Sequence, residues 1–242
     1  MSKTVRARIG FVSSGSRSSA HYSTFKAFIP EDIEMDFEGQ NLYDKSLYEI
    51  RGKKESIVQN ISDLVKNNQW DGLIVPGAPT ELLNPGLLGD LQARLKIPVT
   101  TALSSCVAAL RASSAKKVLL MTPFDETMNR MICDYLVKAQ IEAIAPEPFR
   151  HHTDAMKLGP EEVYMLTRKT FDRAKDVEAI YFQGAVLDPL SVLERIEKEL
   201  HTTVIASNPA MLWFILSKLG LSYKINGYGK LLEQWCRLPD GF

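Results

Sequence analysis

The chain is written twice, and that constrains its fold more than any other feature. Three short apolar runs, RIGFVSS from Arg8, DGLIVPGAPT from Asp71 and IPVTTALSS from Ile97, are followed in the same order by KVLLMTPF from Lys117, EAIYFQGAVL from Glu178 and TTVIASNPA from Thr202. Each later run starts a little over a hundred residues after its counterpart, a near-constant offset that unrelated runs would rarely share. The runs are continuous rather than alternating and rich in Val, Ile and Leu, as parallel strands covered on both faces require. Between them, Lys53 to Asn67 places Ile57, Ile61, Leu64 and Val65 on one helical stripe. Its counterpart from Pro160 to Lys175 turns Val163, Leu166, Thr167 and Phe171 toward the sheet, with Pro160 suited to the first helical position. The predicted fold is α/β: two pseudo-symmetric halves, each a parallel sheet flanked by helices, residues 1–116 and 117–242, with segment 208–242 able to pack on the first half. A length of 242 residues fits such a pair.

Open parallel sheets bind ligands beyond the carboxyl ends of their strands. Ser104 and Ser105 in one half, and Asn208 and Pro209 in the other, stand between the third strand and an apolar helix, so backbone N–H groups and helix dipoles there favour an anion. Facing halves would enclose one small anionic ligand in a cleft. Its rim is expected at Ser13–Ser16, Pro76–Thr80, Leu103–Ser105, Thr122–Phe124, Gln183–Ala185 and Ser207–Pro209. Ser13, Ser14 and Ser16 read equally well as turn chemistry. Gly10 and Gly15 bracket the first strand end without the spacing of a dinucleotide fingerprint or a phosphate loop.

Several partner classes fall away. Lys plus Arg and Asp plus Glu each number 29, so no net positive field invites nucleic acid. The cysteines, Cys106, Cys133 and Cys236, have neither disulfide-framework nor zinc-knuckle spacing, and His151 and His152 lack a third ligand for a metal. The longest apolar run, Ala210 to Leu216, is far below the roughly 20 residues that span a bilayer. The start, MSKTVRARIGF, has no secretory apolar stretch, and a cytoplasmic protein is expected.

The twinned halves, GFVSSGS, the VPGAPT and YFQGAV strand ends, TTALSS, VLLMTPF followed by DETMN, and NPAMLWF with NGYGKLL resemble the aspartate/glutamate/hydantoin racemase superfamily. Within it, the chain is similar to the branch of arylmalonate decarboxylases and maleate cis-trans isomerases, from about Arg8 to Gln234. The resemblance implies cofactor-independent chemistry next to a carboxylate, carried by cysteines at the second strand end of one or both halves. Those positions fall here on Gly77, or Pro76 with a one-residue slip, and on Gln183. A glutamine donates and accepts hydrogen bonds but supplies no thiolate. Where the decarboxylases place donors around the substrate carboxylate, this chain has Ala78, Pro79 and Phe124. Gly184, Ser13, Ser14, Gly15, Thr122 and Gln183 remain to bind a substrate.

Tyr48, or else Arg51, is nearest to a tyrosine of the decarboxylases, and His152 lies opposite a polar residue of the isomerases; a histidine there could serve as acid or base. Tyr43 lies in the same stretch as Tyr48, and His21 and Tyr22 lie where a segment can fold over the first strand end. Cys106 opens a helix, yet sits in the apolar run CVAAL, which favours a buried structural thiol. The family's habit, with Trp235 taken as exposed, implies a homo-oligomer; the resemblance further implies a small carboxylate ligand and no cofactor. Two functions follow: a racemase, isomerase or decarboxylase-like enzyme whose family cysteines are replaced, or a catalytically silent metabolite-binding or regulatory protein on the same fold.

Overall fold

The computed structural model describes residues 4–16, 21–145 and 147–242, without the side chains of residues 21–23. His21 and Tyr22, as candidate groups, therefore lie outside the described side chains. The elements run β1 (Ala7–Ser13), α1 (His21–Lys26), β2 (Ile33–Gly39), α2 (Lys54–Asn68), β3 (Gly72–Val75), α3 (Ala78–Leu82), α4 (Leu87–Arg94), β4 (Val99–Thr101), α5 (Ala102–Ala112), β5 (Lys117–Met121), α6 (Glu126–Lys138), β6 (Glu142–Ile144), α7 (Pro160–Phe171), β7 (Ala179–Phe182), α8 (Leu193–Glu199), β8 (Thr203–Ala206), α9 (Ser207–Lys218) and α10 (Lys230–Gln234).

The two halves are α/β sheets of the same topology. One four-stranded sheet has the order β2-β1-β3-β4 and the other β6-β5-β7-β8, every pairing parallel. All six apolar runs form the expected strands. The edge strands β2 and β6 are additional. Ile33, Met35 and Phe37 alternate with Glu34, Asp36 and Glu38 along β2, the period of a strand with one covered face. Phe37 joins Phe11 and Phe25 in an aromatic cluster, with ring centroids 5.1 Å and 6.2 Å away.

The chain divides into two compact units, residues 1–103 with 215–221, and residues 104–214 with 222–242. The division thus falls earlier than residue 116, and the segment after residue 207 is shared: 215–221 belongs to the first unit and 222–242 to the second. The reason is continuity of helix. β4 passes directly into α5 and β8 directly into α9, and both helices run through the division.

In the first unit, Ile57 and Ile61 of α2 are fully buried as expected, joined by Val58, whereas Leu64 and Val65 are only partly covered. Gly10 does not flank the strand end; it lies inside β1, where an added Cβ would be 2.1 Å from the Trp70 ring. In the second unit, Val163, Tyr164 and Thr167 of α7 are buried. The sequence from Ala210 to Leu216 is buried on all sides of α9, as a helix through a core requires. Trp235 is half-buried rather than exposed, with its ring centroid 5.7 Å from that of Tyr223. Among the described residues no helix is long and apolar enough to cross a membrane.

Candidate functional site

In the first unit the β1 end is held by its own backbone. The carbonyls of Ser13, Ser14 and Gly15 accept from the N–H groups of Gln40, Leu42 and Asn41 at 2.9, 2.8 and 3.1 Å. The Ser13 hydroxyl accepts from the Gly15 N–H at 3.0 Å, a local turn bond. Thr80 donates its hydroxyl to Ser14 Oγ at 3.1 Å, which ties the β1 end to the first turn after β3. Gly77 caps the short α3, and Ala78 behind it is fully buried.

Tyr43, five residues before Tyr48, packs against the end of β1. The hydroxyl of Tyr43 would stand 2.9 Å from a Cβ on Gly15, so this glycine admits the phenol. Burial pushes the Tyr43 phenol above its ordinary pKa. Tyr48 instead sits half-buried in a 3₁₀ turn, Leu47–Ile50, its N–H donating to Ser46 Oγ at 3.2 Å. Gln40, which follows β2, has both polar side-chain atoms buried with no protein partner.

In the second unit β5 and β7 are neighbours, and their carboxyl ends form one surface. The Gln183 N–H donates to the Met121 carbonyl at 2.9 Å, extending the pairing past Phe182. The Thr122 hydroxyl donates to Asn129 Oδ1 and accepts from the Phe124 N–H at 3.2 Å. Asn129 returns a bond to the Phe124 carbonyl at 3.3 Å, and Asp125 caps α6 by accepting from Met128 N–H at 2.9 Å. These bonds close the β5–α6 turn. A Cβ on Gly184 would fall 2.8 Å from Pro123 Cδ and 3.2 Å from Phe124 Cζ, and the residue's φ of +111° favours glycine in any case. The β5 loop therefore lies directly against the backbone after Gln183.

Gln183 is buried, 1% exposed. Its Oε1 accepts from the Tyr181 hydroxyl, while its Nε2 is buried without any partner. Tyr181, two residues earlier, is fully buried and also bonds the sulfur of Cys106, which Ser105 bonds as well. Burial pushes the Cys106 thiol up to about 12, against the smaller opposing effect of those two hydroxyls. Cys106 is thus the buried thiol its apolar surroundings suggest, protonated through the neutral range. Sequence reasoning missed Tyr181, because a tyrosine inside an apolar strand run reads as core.

His152 begins a 3₁₀ turn, His152–Lys157, and is half-buried. The loop before it is tied to the β5 end, the Phe149 N–H donating to the Phe124 carbonyl at 3.1 Å. Burial, then the neighbouring His151, lower the His152 pKa, and the carboxylate of Asp125 opposes them. The imidazole is neutral at neutral pH and can accept a proton. The loop that leads to His152 is thus tied to the β5 end, and Gln183 follows β7, the strand beside β5. Among the described residues no three His, Cys, Asp or Glu side chains cluster to hold a metal ion.

An arylmalonate decarboxylase from Bordetella bronchiseptica is 24% identical over 194 residues, 74% of this chain and 80% of that protein. A solved double mutant of arylmalonate decarboxylase, glycine to cysteine and cysteine to serine, in its liganded form, has the same fold: TM-score 0.82, 19% identity, 94% of this chain and 99% of that one. The maleate isomerase of Pseudomonas putida S16, solved as an alanine variant with maleate, overlays at TM-score 0.75 and 17% identity, over 94% and 97% of the chains. A Nocardia farcinica maleate cis-trans isomerase, a cysteine-to-serine mutant with a covalently bound succinylcysteine intermediate, does so at TM-score 0.75 and 20% identity, over 94% and 98%. The family model described as arylmalonate decarboxylase matches residues 80–232, more than half of the sequence and all of the second sheet, and so the chain belongs to the arylmalonate decarboxylase family.

Proposed function

We propose that this protein is an enzyme of the racemase, isomerase or decarboxylase kind that acts on a small carboxylic acid at the carbon next to its carboxylate, with an amide where a cysteine would act. Gln183 holds the carboxylate, and His152 carries the proton. The observation that carries this reading is the buried, unpartnered Nε2 of Gln183 at the end of β7. A buried donor without an acceptor costs on the order of 1–3 kcal/mol, a cost that a bound carboxylate oxygen removes. Loss of a proton or of carbon dioxide next to a carboxylate moves negative charge onto its oxygens. A fixed donor aimed there stabilises that charge more than it stabilises the ground state. His152 supplies what an amide cannot, a group that changes protonation near neutrality.

The reading needs no cofactor. It keeps Gly184, next to Gln183 in the second unit, as a backbone donor for the acid. Three free cysteines suit a reducing cytoplasm, and a homo-oligomer is expected by analogy with the family. The second reading, a silent metabolite-binding or regulatory protein, is favoured by one observation: the one cysteine bonded into the Gln183 network, Cys106, is too buried to ionise.

Incubation with phenylmalonate, 2-phenylpropionate, maleate, aspartate and glutamate in deuterated water separates the two. The enzyme incorporates deuterium next to a carboxylate, releases carbon dioxide or isomerises the double bond. Replacing Gln183 by Met or His152 by Asn then lowers the rate roughly a hundredfold or more. Saturable binding by calorimetry with no turnover of any of the five acids selects the silent protein. No binding of any of them defeats both readings.

A further inference from the structure

We infer that Tyr181 is a positioning residue: its hydroxyl fixes which end of the Gln183 amide faces the ligand. The inference rests on the proposed carboxylate role of Gln183. A carboxamide is nearly symmetric in shape, with a donor at one end and an acceptor at the other. Turned one way, Gln183 offers two N–H bonds to an anion; turned the other way, it offers an oxygen that repels it.

Gln183 follows β7 two residues after Tyr181 and its N–H continues the pairing to Met121, so the two side chains leave the same face of the sheet. The Tyr181 hydroxyl meets Gln183 Oε1, and Nε2 is left over. All three groups are closed to water, Tyr181 and Cys106 at 0% and Gln183 at 1% exposure. With no solvent to compete, the phenol proton goes to the amide oxygen, and the amide N–H₂ is turned to the ligand.

The test is Tyr181→Phe, which keeps the ring and removes the hydroxyl. Binding of phenylacetate and of its neutral amide, phenylacetamide, is measured by calorimetry. The wild-type protein is expected to prefer the carboxylate, and Tyr181→Phe to lose that preference about tenfold while its thermal unfolding stays cooperative. A purely structural tyrosine would alter stability or both affinities together, and an unchanged preference in a folded Tyr181→Phe protein overturns the inference.

If Tyr181→Phe does not fold, the wild-type protein still decides through NMR of its glutamine side chains, with the Gln183 signals assigned by their loss in Gln183→Met. Nε2 protons shifted from those of a free glutamine and protected from exchange with solvent support the positioning, and Nε2 protons with free-glutamine shifts that exchange as fast as a free glutamine's overturn it. This arm needs no ligand. Failure of wild-type protein to bind any carboxylate would therefore count against the proposed function alone, while the amide signals judge Tyr181.

Discussion

On the proposed function the Gln183 carboxamide acts as a fixed dipole and not as a titrating nucleophile. Gln183→Met should therefore weaken carboxylate binding tenfold or more and change stability by no more than about 1 kcal/mol, since it removes an unpaired buried donor along with the acceptor for Tyr181. Calorimetry and urea unfolding check the two halves of that statement. Cys106 makes a second residue-scale prediction. Its thiol should resist alkylation in the native protein at pH 8, while Cys133 and Cys236, both partly exposed, react; mass spectrometry of the labelled peptides reads this directly. Because burial raises its folded pKa from 9.0 to about 12, its contribution to stability is complete below about pH 9 and falls as the pH climbs toward 12. Gln183 was legible in the sequence, because the apolar run AIYF ends just before it. Tyr181 was not, since burial alone does not reveal that its hydroxyl has a partner two residues on. Tyr48 was the nearer match on paper, and the packing of the Tyr43 hydroxyl against Gly15 is visible only in the structure.

At the scale of elements, the strand-end loops are held by interactions that a ligand-centred reading would assign to binding. The Thr122–Asn129 bond closes the β5–α6 turn, so Thr122→Val should cost about 1–3 kcal/mol in urea unfolding and leave carboxylate affinity within a factor of about two. Gly184→Ala combines an unfavourable backbone angle with a 2.8 Å approach to Pro123, and a destabilisation of roughly 2–4 kcal/mol is expected by the same measurement. The closing NGYGKLL motif also serves structure within the second unit. The Gly227 N–H donates to Glu194 Oε1 at 2.7 Å, and Lys230 N–H to Glu197 Oε2 at 3.0 Å, so α8 clasps the tail. Continuous apolar runs marked β1, β3 and β4 and their counterparts β5, β7 and β8. The edge strand β2 was missed because its acidic, alternating residues lack that signature, and β6 because its three residues are too few to show any period.

For the whole molecule, identical strand orders in the two sheets show that the repeat seen in the sequence is a repeat of structure. Duplication fixes where strand ends fall, so the candidate positions could be read from the sequence. It does not fix what each does, because that depends on hydrogen bonds between residues far apart in the chain. If His152 carries the proton, the pH profile of turnover should have its acidic limb below the ordinary histidine value near 6.5, since burial and His151 lower its pKa, and His152→Asn should abolish that limb. The central claim, that Gln183 Nε2 donates to a substrate carboxylate, is tested most directly by a crystal structure with phenylmalonate or maleate bound. A carboxylate oxygen within about 3.2 Å of Gln183 Nε2, with Tyr181 still on Oε1, is the expected result. A bound carboxylate held elsewhere, with the Gln183 amide turned away from it, would contradict the account.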